Sequence, residues 1–296
     1  MFLPQTHIFD SNRSFPKFVK NYFMVSFPNA KINLGLNIIE KRSDGYHDIE
    51  SVFYPVAWCD ALEIVKADSL SFNSSGLEIP GNQENNLILK AFRILENEGF
   101  ITGKSVNIHL HKVLPMGAGI GGGSADGDFA LRMLNELFEL NLTITQVEKF
   151  AEHLGSDCPF FIENKPKFCF GKGTEFEEIN LSLKGKQIIL VNPQIHISTA
   201  EAYAGVKPSM PDVAIKEIIA SPLNDWPNVL KNDFEKKIIE NHPKIGEVKD
   251  KLYKLGAKYA SMTGSGSTVF GIFDKSIDNL EMEFYSGLCW QGACLF

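Results

Sequence analysis

The sequence predicts an α+β fold built in two halves, and three observations carry that prediction. Apolar residues at the start of the chain alternate as strands do, with no helix between successive strands. A strand, a glycine-rich loop and an amphipathic helix then follow one another over 105–140. A second set of strands and helices starts near Gln187, so the two element types mix without the strict alternation of a parallel α/β sheet.

Taken in order, Val25 to Val65 repeats apolar residues at every second position: Ile32, Leu34, Leu36 and Ile38, then Val52, Tyr54 and Val56, then Leu62 and Ile64. Asp44-Gly45 marks the reversal between the first two runs. Asn86–Asn97 sets Leu87, Leu89, Ala91, Phe92 and Leu95 at helical spacing. Val106, Ile108 and Leu110 alternate as a strand. Ala125–Leu140 brings Phe129, Ala130, Met133, Leu134, Leu137 and Phe138 onto one helix face. Thr145 with Glu148 reads as a capping box opening a helix that ends at Gly155. In the second half, Ile188–Val191 is a strand, Asp212–Ile219 and Pro243–Leu255 are helices, and Ala260–Phe273 flanks a small glycine loop. Met1–Phe23 has no period. It is expected to be a flexible extension or the result of an upstream start choice, since Met24 stands where patterned sequence begins. The expected units are therefore 1–23, 24–175 and 176–296.

The chain has 296 residues, 44% hydrophobic and 22% charged, the balance of a soluble globular protein. Its net charge of −7 argues against a nucleic-acid partner, which favours a basic face. No apolar run approaches the roughly 20 residues of a transmembrane helix, so no membrane partner is expected. The five cysteines are odd in number and widely spaced, as in free thiols of a reducing cytoplasm. A cytoplasmic protein, monomeric or homodimeric, is expected.

The densest chemical signal is Pro115-Met116-Gly117-Ala118-Gly119-Ile120-Gly121-Gly122-Gly123-Ser124-Ala125, lying between a strand and a helix. Such a loop lets backbone N–H groups converge on an anion at the positive end of the helix. Two familiar phosphate loops do not fit it. A Walker A loop requires a lysine where Gly123 stands. A dinucleotide loop requires an acid ending a second strand about 20 residues on, but Glu136 and Glu139 fall within the helix pattern.

Three segments together resemble the GHMP kinases, the galactose, homoserine, mevalonate and phosphomevalonate kinase superfamily. The loop at Pro115–Ser124 is similar to that superfamily's phosphate cradle, and Met262-Thr-Gly-Ser-Gly-Ser-Thr-Val-Phe270 to its C-terminal glycine motif. Pro28-Asn-Ala-Lys-Ile-Asn-Leu34, Lys41-Arg-Ser-Asp-Gly-Tyr-His47 and Gly155-Ser-Asp-Cys-Pro-Phe-Phe161 resemble the family within it that phosphorylates 4-diphosphocytidyl-2-C-methyl-D-erythritol. The resemblance implies an N-terminal domain like domain 2 of ribosomal protein S5 and a ferredoxin-like C-terminal domain. It implies a small-molecule substrate, with ATP and Mg²⁺ as cofactors and no metal held by the protein itself. Asp157 becomes the general base and Lys31 its cationic partner, 115–125 the ATP cradle, and Asn33, Tyr46, His47, Thr199 and Tyr203 the substrate contacts. Without the resemblance, Asp157 reads as a helix-end carboxylate, Lys31 as an exposed strand lysine, and the aromatics as core or surface. Where many members carry Ser-Ser-Asn-Ala, this chain has Ser124-Ala125-Asp126-Gly127; Asp126 is expected to cap the helix or to lie near Mg²⁺, with capping favoured. The competing readings are a GHMP kinase for another alcohol and a non-catalytic nucleotide-binding protein on the same scaffold.

Overall fold

The computed structural model describes residues 23–284 and 286–296. The expected extension over 1–23 thus lies outside the described residues except for Phe23, which opens the first strand. The strands are β1 (Phe23–Ser26), β2 (Asn29–Lys41), β3 (His47–Cys59), β4 (Ala61–Ala67), β5 (Ser71–Gly76), β6 (Ser105–Lys112), β7 (Lys167–Phe170), β8 (Glu175–Glu178), β9 (Gln187–Asn192), β10 (Tyr259–Met262), β11 (Val269–Phe273) and β12 (Leu288–Ala293). The helices are α1 (Leu87–Asn97), α2 (Gly122–Leu137), α3 (Ile144–Leu154), α4 (Phe160–Glu163), α5 (Thr199–Ala204), α6 (Ile215–Ala220), α7 (Trp226–Val229), α8 (Glu235–Asn241), α9 (Pro243–Lys254) and α10 (Leu280–Glu283).

Three four-stranded sheets result, in the orders β1-β4-β6-β5, β2-β3-β7-β8 and β10-β11-β9-β12. Only β5 and β6 pair in parallel among the described strands. The third sheet is antiparallel throughout, and its order is that of the ferredoxin-like β-α-β-β-α-β unit. Strand pairing carries the N-terminal half through Glu178, because β8 lies against β7, and β9 opens the C-terminal sheet.

Strand β2 positions most of the site. Its first ten residues are all buried, so both faces meet protein. Ala30, Ile32 and Leu34 enter the apolar cluster that joins the two halves. Asn29, Lys31 and Asn33 alternate with them and carry polar groups to the opposite face. Pairing with β3 then slips at Gly35, a bulge at φ +71° that lets the backbone pass Leu230 closely.

Two helix starts differ from the sequence-based expectation. Helix α2 begins at Gly122 rather than Ala125, inside the glycine run, because Gly121 at φ +71° turns the chain into the helix. Helix α3 begins two residues earlier than expected: Thr143, not Thr145, is the cap, and it forms a reciprocal box with Gln146. Thr143-x-x-Gln146 and Thr145-x-x-Glu148 overlap in sequence; the buried positions Val147, Ala151 and Leu154 fit the helix opened by the first. Helix α6 likewise starts at Ile215 rather than Asp212, set by the buried Ile215, Ile218 and Ile219.

Replacing Thr143 with alanine is expected to lower stability by about 1 kcal/mol in denaturant unfolding. The same change at the exposed Thr145 should stay within about 0.5 kcal/mol.

Candidate active site

The glycine loop runs from β6 into α2 and ends in free N–H groups. Gly121 is the N-cap and offers no side-chain acceptor, so the first amides of α2 stay available to an anion. The loop is held from two sides. Lys31 donates its backbone N–H to Ile120 O at 2.9 Å, tying the loop to β2. The C-terminal glycine motif closes the other side: Thr263 Oγ1 donates to Gly119 O at 3.2 Å, and Thr268 N–H to Ala118 O at 3.3 Å. Gly119, at φ +76°, leaves no room for a Cβ, which would collide with the Thr263 carbonyl. The two glycine motifs that the sequence sets far apart are therefore one construction.

Lys31 lies at its mouth, 3% exposed. Its ammonium donates to Asn33 Oδ1 at 2.7 Å, pairs with Asp157 Oδ2 at 3.1 Å and rests 4.2 Å from the centre of the Phe53 ring. Asn33 in turn donates to Ser51 Oγ at 2.8 Å, and its backbone N–H reaches Thr263 Oγ1 at 2.9 Å. Asp157 remains partly open, its side chain 28% exposed, on the turn between α3 and α4. A buried cation and an accessible carboxylate thus meet beside an anion cradle.

His47 and Tyr203 stack on each other, ring centres 4.6 Å apart and planes at 26°. Tyr203 is backed edge-on by Phe234 at 4.9 Å, and burial raises its phenol pKa above the usual value. Thr199 stands one turn earlier on the same face of α5, whose cap is Ser198. Tyr46 is exposed, with the Lys172 ammonium 4.8 Å from its ring centre. Lys172, which the sequence did not single out, also hydrogen-bonds Asp44 and with the Tyr46 N–H holds that carboxyl at about 2, fastening the tip of the β2–β3 hairpin.

Asp126 does not cap α2: it lies in the second turn, 3% exposed, with Oδ2 on the Lys112 ammonium at 2.6 Å. The same ammonium meets Asp60 Oδ2 at 2.5 Å, and Asp60 Oδ1 accepts the N–H groups of Val113 (2.6 Å) and Leu114 (2.8 Å). Burial opposes the Lys112 charge, but the two carboxylates outweigh it and raise its pKa; burial raises that of Asp126. This triad was readable in part. Lys112 continues the Val106, Ile108, Leu110 face of β6, so a buried lysine was due there. Beside the triad a cavity of about 280 Å³ opens, lined by Phe72, Ile79, Asn82, Asn86, Met116 and Gly123 among others.

Asp128, one residue pair further along α2, is fully buried, and neither carboxyl oxygen has a hydrogen-bond partner. Arg132 is its charged partner among the described residues, with Nε 3.6 Å from Oδ2. Burial pushes the Asp128 carboxyl up to about 7, against the pull of Arg132.

Comparison with known proteins identifies the family. The GHMP kinases N terminal domain matches residues 86–165, and the GHMP kinases C terminal domain matches 214–281. A 4-diphosphocytidyl-2-C-methyl-D-erythritol kinase of Bacteroides thetaiotaomicron is 52% identical over 91% of this chain and 99% of its own. Its counterpart in Bacteroides fragilis is 49% identical over 90% and 98%. A crystal structure of 4-(cytidine 5'-diphospho)-2C-methyl-D-erythritol kinase superposes with a TM-score of 0.77 at 28% identity, covering 91% of this chain and 98% of that one. The mevalonate kinase of Methanococcus jannaschii shares the fold at a TM-score of 0.67 and 13% identity. The glycine loop braced by a second glycine motif, with a lysine–carboxylate pair at its edge, belongs to a kinase of small molecules. The chain belongs to the GHMP kinases, in the branch whose members are the 4-diphosphocytidyl-2-C-methyl-D-erythritol kinases.

Two stability outcomes follow from the buried charges. Lys112→Ala leaves two buried carboxylates facing each other and should cost about 3–5 kcal/mol in denaturant unfolding. Folded Asp128 keeps its proton to about pH 7, whereas an unfolded aspartate loses it near 3.9. Between those values the folded state binds more protons, so this group subtracts up to about 1.4 kcal/mol of stability per pH unit as pH rises. Unfolding of Asp128→Asn followed from pH 4 to 8 should lack that decline.

Proposed function

We propose that the protein transfers the γ-phosphoryl group of ATP to the 2-hydroxyl of 4-diphosphocytidyl-2-C-methyl-D-erythritol, forming ADP and the corresponding 2-phosphate in the non-mevalonate route to isoprenoid precursors. The observation that carries this reading is the 3.1 Å pairing of Lys31 with Asp157 beside a glycine cradle, in a chain about half identical to kinases of that name.

The acceptor is a tertiary alcohol, crowded and weakly acidic, so positioning and proton acceptance dominate the chemistry. The partly open Asp157 carboxylate accepts the hydroxyl proton as the oxygen attacks the γ-phosphorus. The Lys31 ammonium, fixed by Asn33 and Phe53, faces the developing negative charge without having to reorganise. Backbone amides at 121–124 hold the phosphates, while Pro115–Ile120 shape the approach. The cavity bordered by Met116 and Gly123 has the size and apolar lining suited to the nucleotide base.

No cluster of three or more His, Cys, Asp or Glu side chains suited to a metal occurs among the described residues. A Mg²⁺ ion in this reading is held by ATP oxygens and water, and it screens phosphate charge. His47, Tyr203 and Thr199 supply a polar and aromatic surface for the cytidyl group, and Asn33 borders the acceptor through Lys31. All five cysteines are free thiols, which suits a cytoplasmic enzyme, monomeric or homodimeric. No helix among the described residues is long and apolar enough to cross a membrane.

ADP release should occur with the cytidyl substrate and be absent with mevalonate, homoserine and galactose; turnover of one of those instead overturns the assignment. Asp157→Asn should keep ATP and substrate affinity within a few-fold while kcat falls by 10²-fold or more. Tyr203→Ala should raise KM for the cytidyl substrate about tenfold and leave KM for ATP unchanged, as steady-state kinetics with each substrate varied will show.

A further inference from the structure

Helix α4 is only four residues long, and it follows directly on the turn that carries Asp157. A helix so short cannot hold itself in water. Its neighbours form one relay of turn bonds: Cys158 N–H donates to Gly155 O, Phe161 N–H to Cys158 O, and Asn164 N–H to Phe160 O. Whatever fixes α4 therefore fixes Asp157. The carbonyls of Phe161 and Ile162, left without helical partners, are met by a side chain from α2: Arg132 Nη1 donates to them at 3.4 and 3.0 Å.

Arg132 is itself aimed by two residues of its own helix. Its guanidinium carbon lies 4.3 Å from the centre of the Phe129 ring, and Nε faces Asp128 at 3.6 Å. Asp128 is fully buried and makes no hydrogen bond among the described residues. Burying an unsatisfied carboxylate is destabilising. Groups of that kind persist where function requires them.

We propose that Asp128 and Arg132 are positioning residues for phosphoryl transfer, a clamp on the phosphate-loop helix that holds α4, and with it Asp157, in register with Lys31. The clamp rests on Asp157 being the proton acceptor. Because α2 also begins at the glycine cradle, the two reacting ends, phosphate and base, are referenced to one rigid element. Above about pH 7, where its carboxyl ionises, Asp128 acts through charge on Arg132, and Arg132 acts through two carbonyls on the turn; neither touches substrate.

Asp128→Asn separates this role from a structural one. The variant should melt at a higher temperature than the parent at pH 8, yet show kcat reduced at least fivefold with both KM values within threefold. Arg132→Met should reduce kcat at least tenfold, and Arg132→Lys should recover part of it. A crystal structure of Asp128→Asn should place Lys31 Nζ and Asp157 beyond 4 Å. Parent-like kcat in Asp128→Asn, or an unmoved Lys31–Asp157 pair in its crystal, overturns the clamp. Activity of the unaltered protein and of Asp157→Asn on the cytidyl substrate tests the underlying reaction separately, and the crystallographic distance reads the clamp whichever alcohol is the acceptor.

Discussion

An ammonium group taken out of water must find partners, and Lys31 finds three: an amide oxygen, a carboxylate and an aromatic face. That demand organises the centre of the molecule. It requires β2 to run buried through the join of the two halves, with Asn33 two residues on and Phe53 across the pair. It requires the α3–α4 turn to bring Asp157 inward. The backbone of the same lysine also holds Ile120, so the residue that carries the charge also sets the height of the glycine loop.

Much of this was written in the sequence as local pattern. Alternation marked β2, β3, β4 and β6, and helical spacing marked α1, α2, α3 and α9. The composition of the glycine loop pointed to an anion site. Assigning chemistry to Lys31 and Asp157 needed the family resemblance, because a single lysine in a strand and a single aspartate after a helix have no local signature. What stayed hidden is nonlocal or competitive. Two capping patterns overlap at Thr143 and Thr145, and the buried positions Val147, Ala151 and Leu154 fit the helix opened by the first. The contact of Gly119 with Thr263 joins positions from opposite halves, which no window of sequence can relate.

The lysine missing from the loop has two counterparts behind it. Lys31 lies at the mouth, where the proposed reaction uses it toward phosphate and acceptor. Lys112 sits underneath, fully occupied by Asp60 and Asp126. Its charge is neutralised locally, so it braces the loop, and in the proposed reaction the attraction of phosphate falls to backbone dipoles and Lys31. Asp126, which looked in sequence like a cap or a neighbour of metal, is part of that brace.

In the proposed mode of substrate binding, the stack of His47 on Tyr203 also bears on the rate at which substrate enters. Ring centres 4.6 Å apart leave no gap for a third planar group, so a base that is to lie between them must first part them. The free protein thereby rests in a self-complementary state that shields its own apolar ring faces from water. In that proposed mode, affinity for the base is scaled down in proportion to the fraction of molecules in which the rings stand open. Association then carries a conformational step in addition to diffusion, and selectivity acquires a threshold: a ligand lacking an aromatic base has nothing with which to replace the contact it breaks.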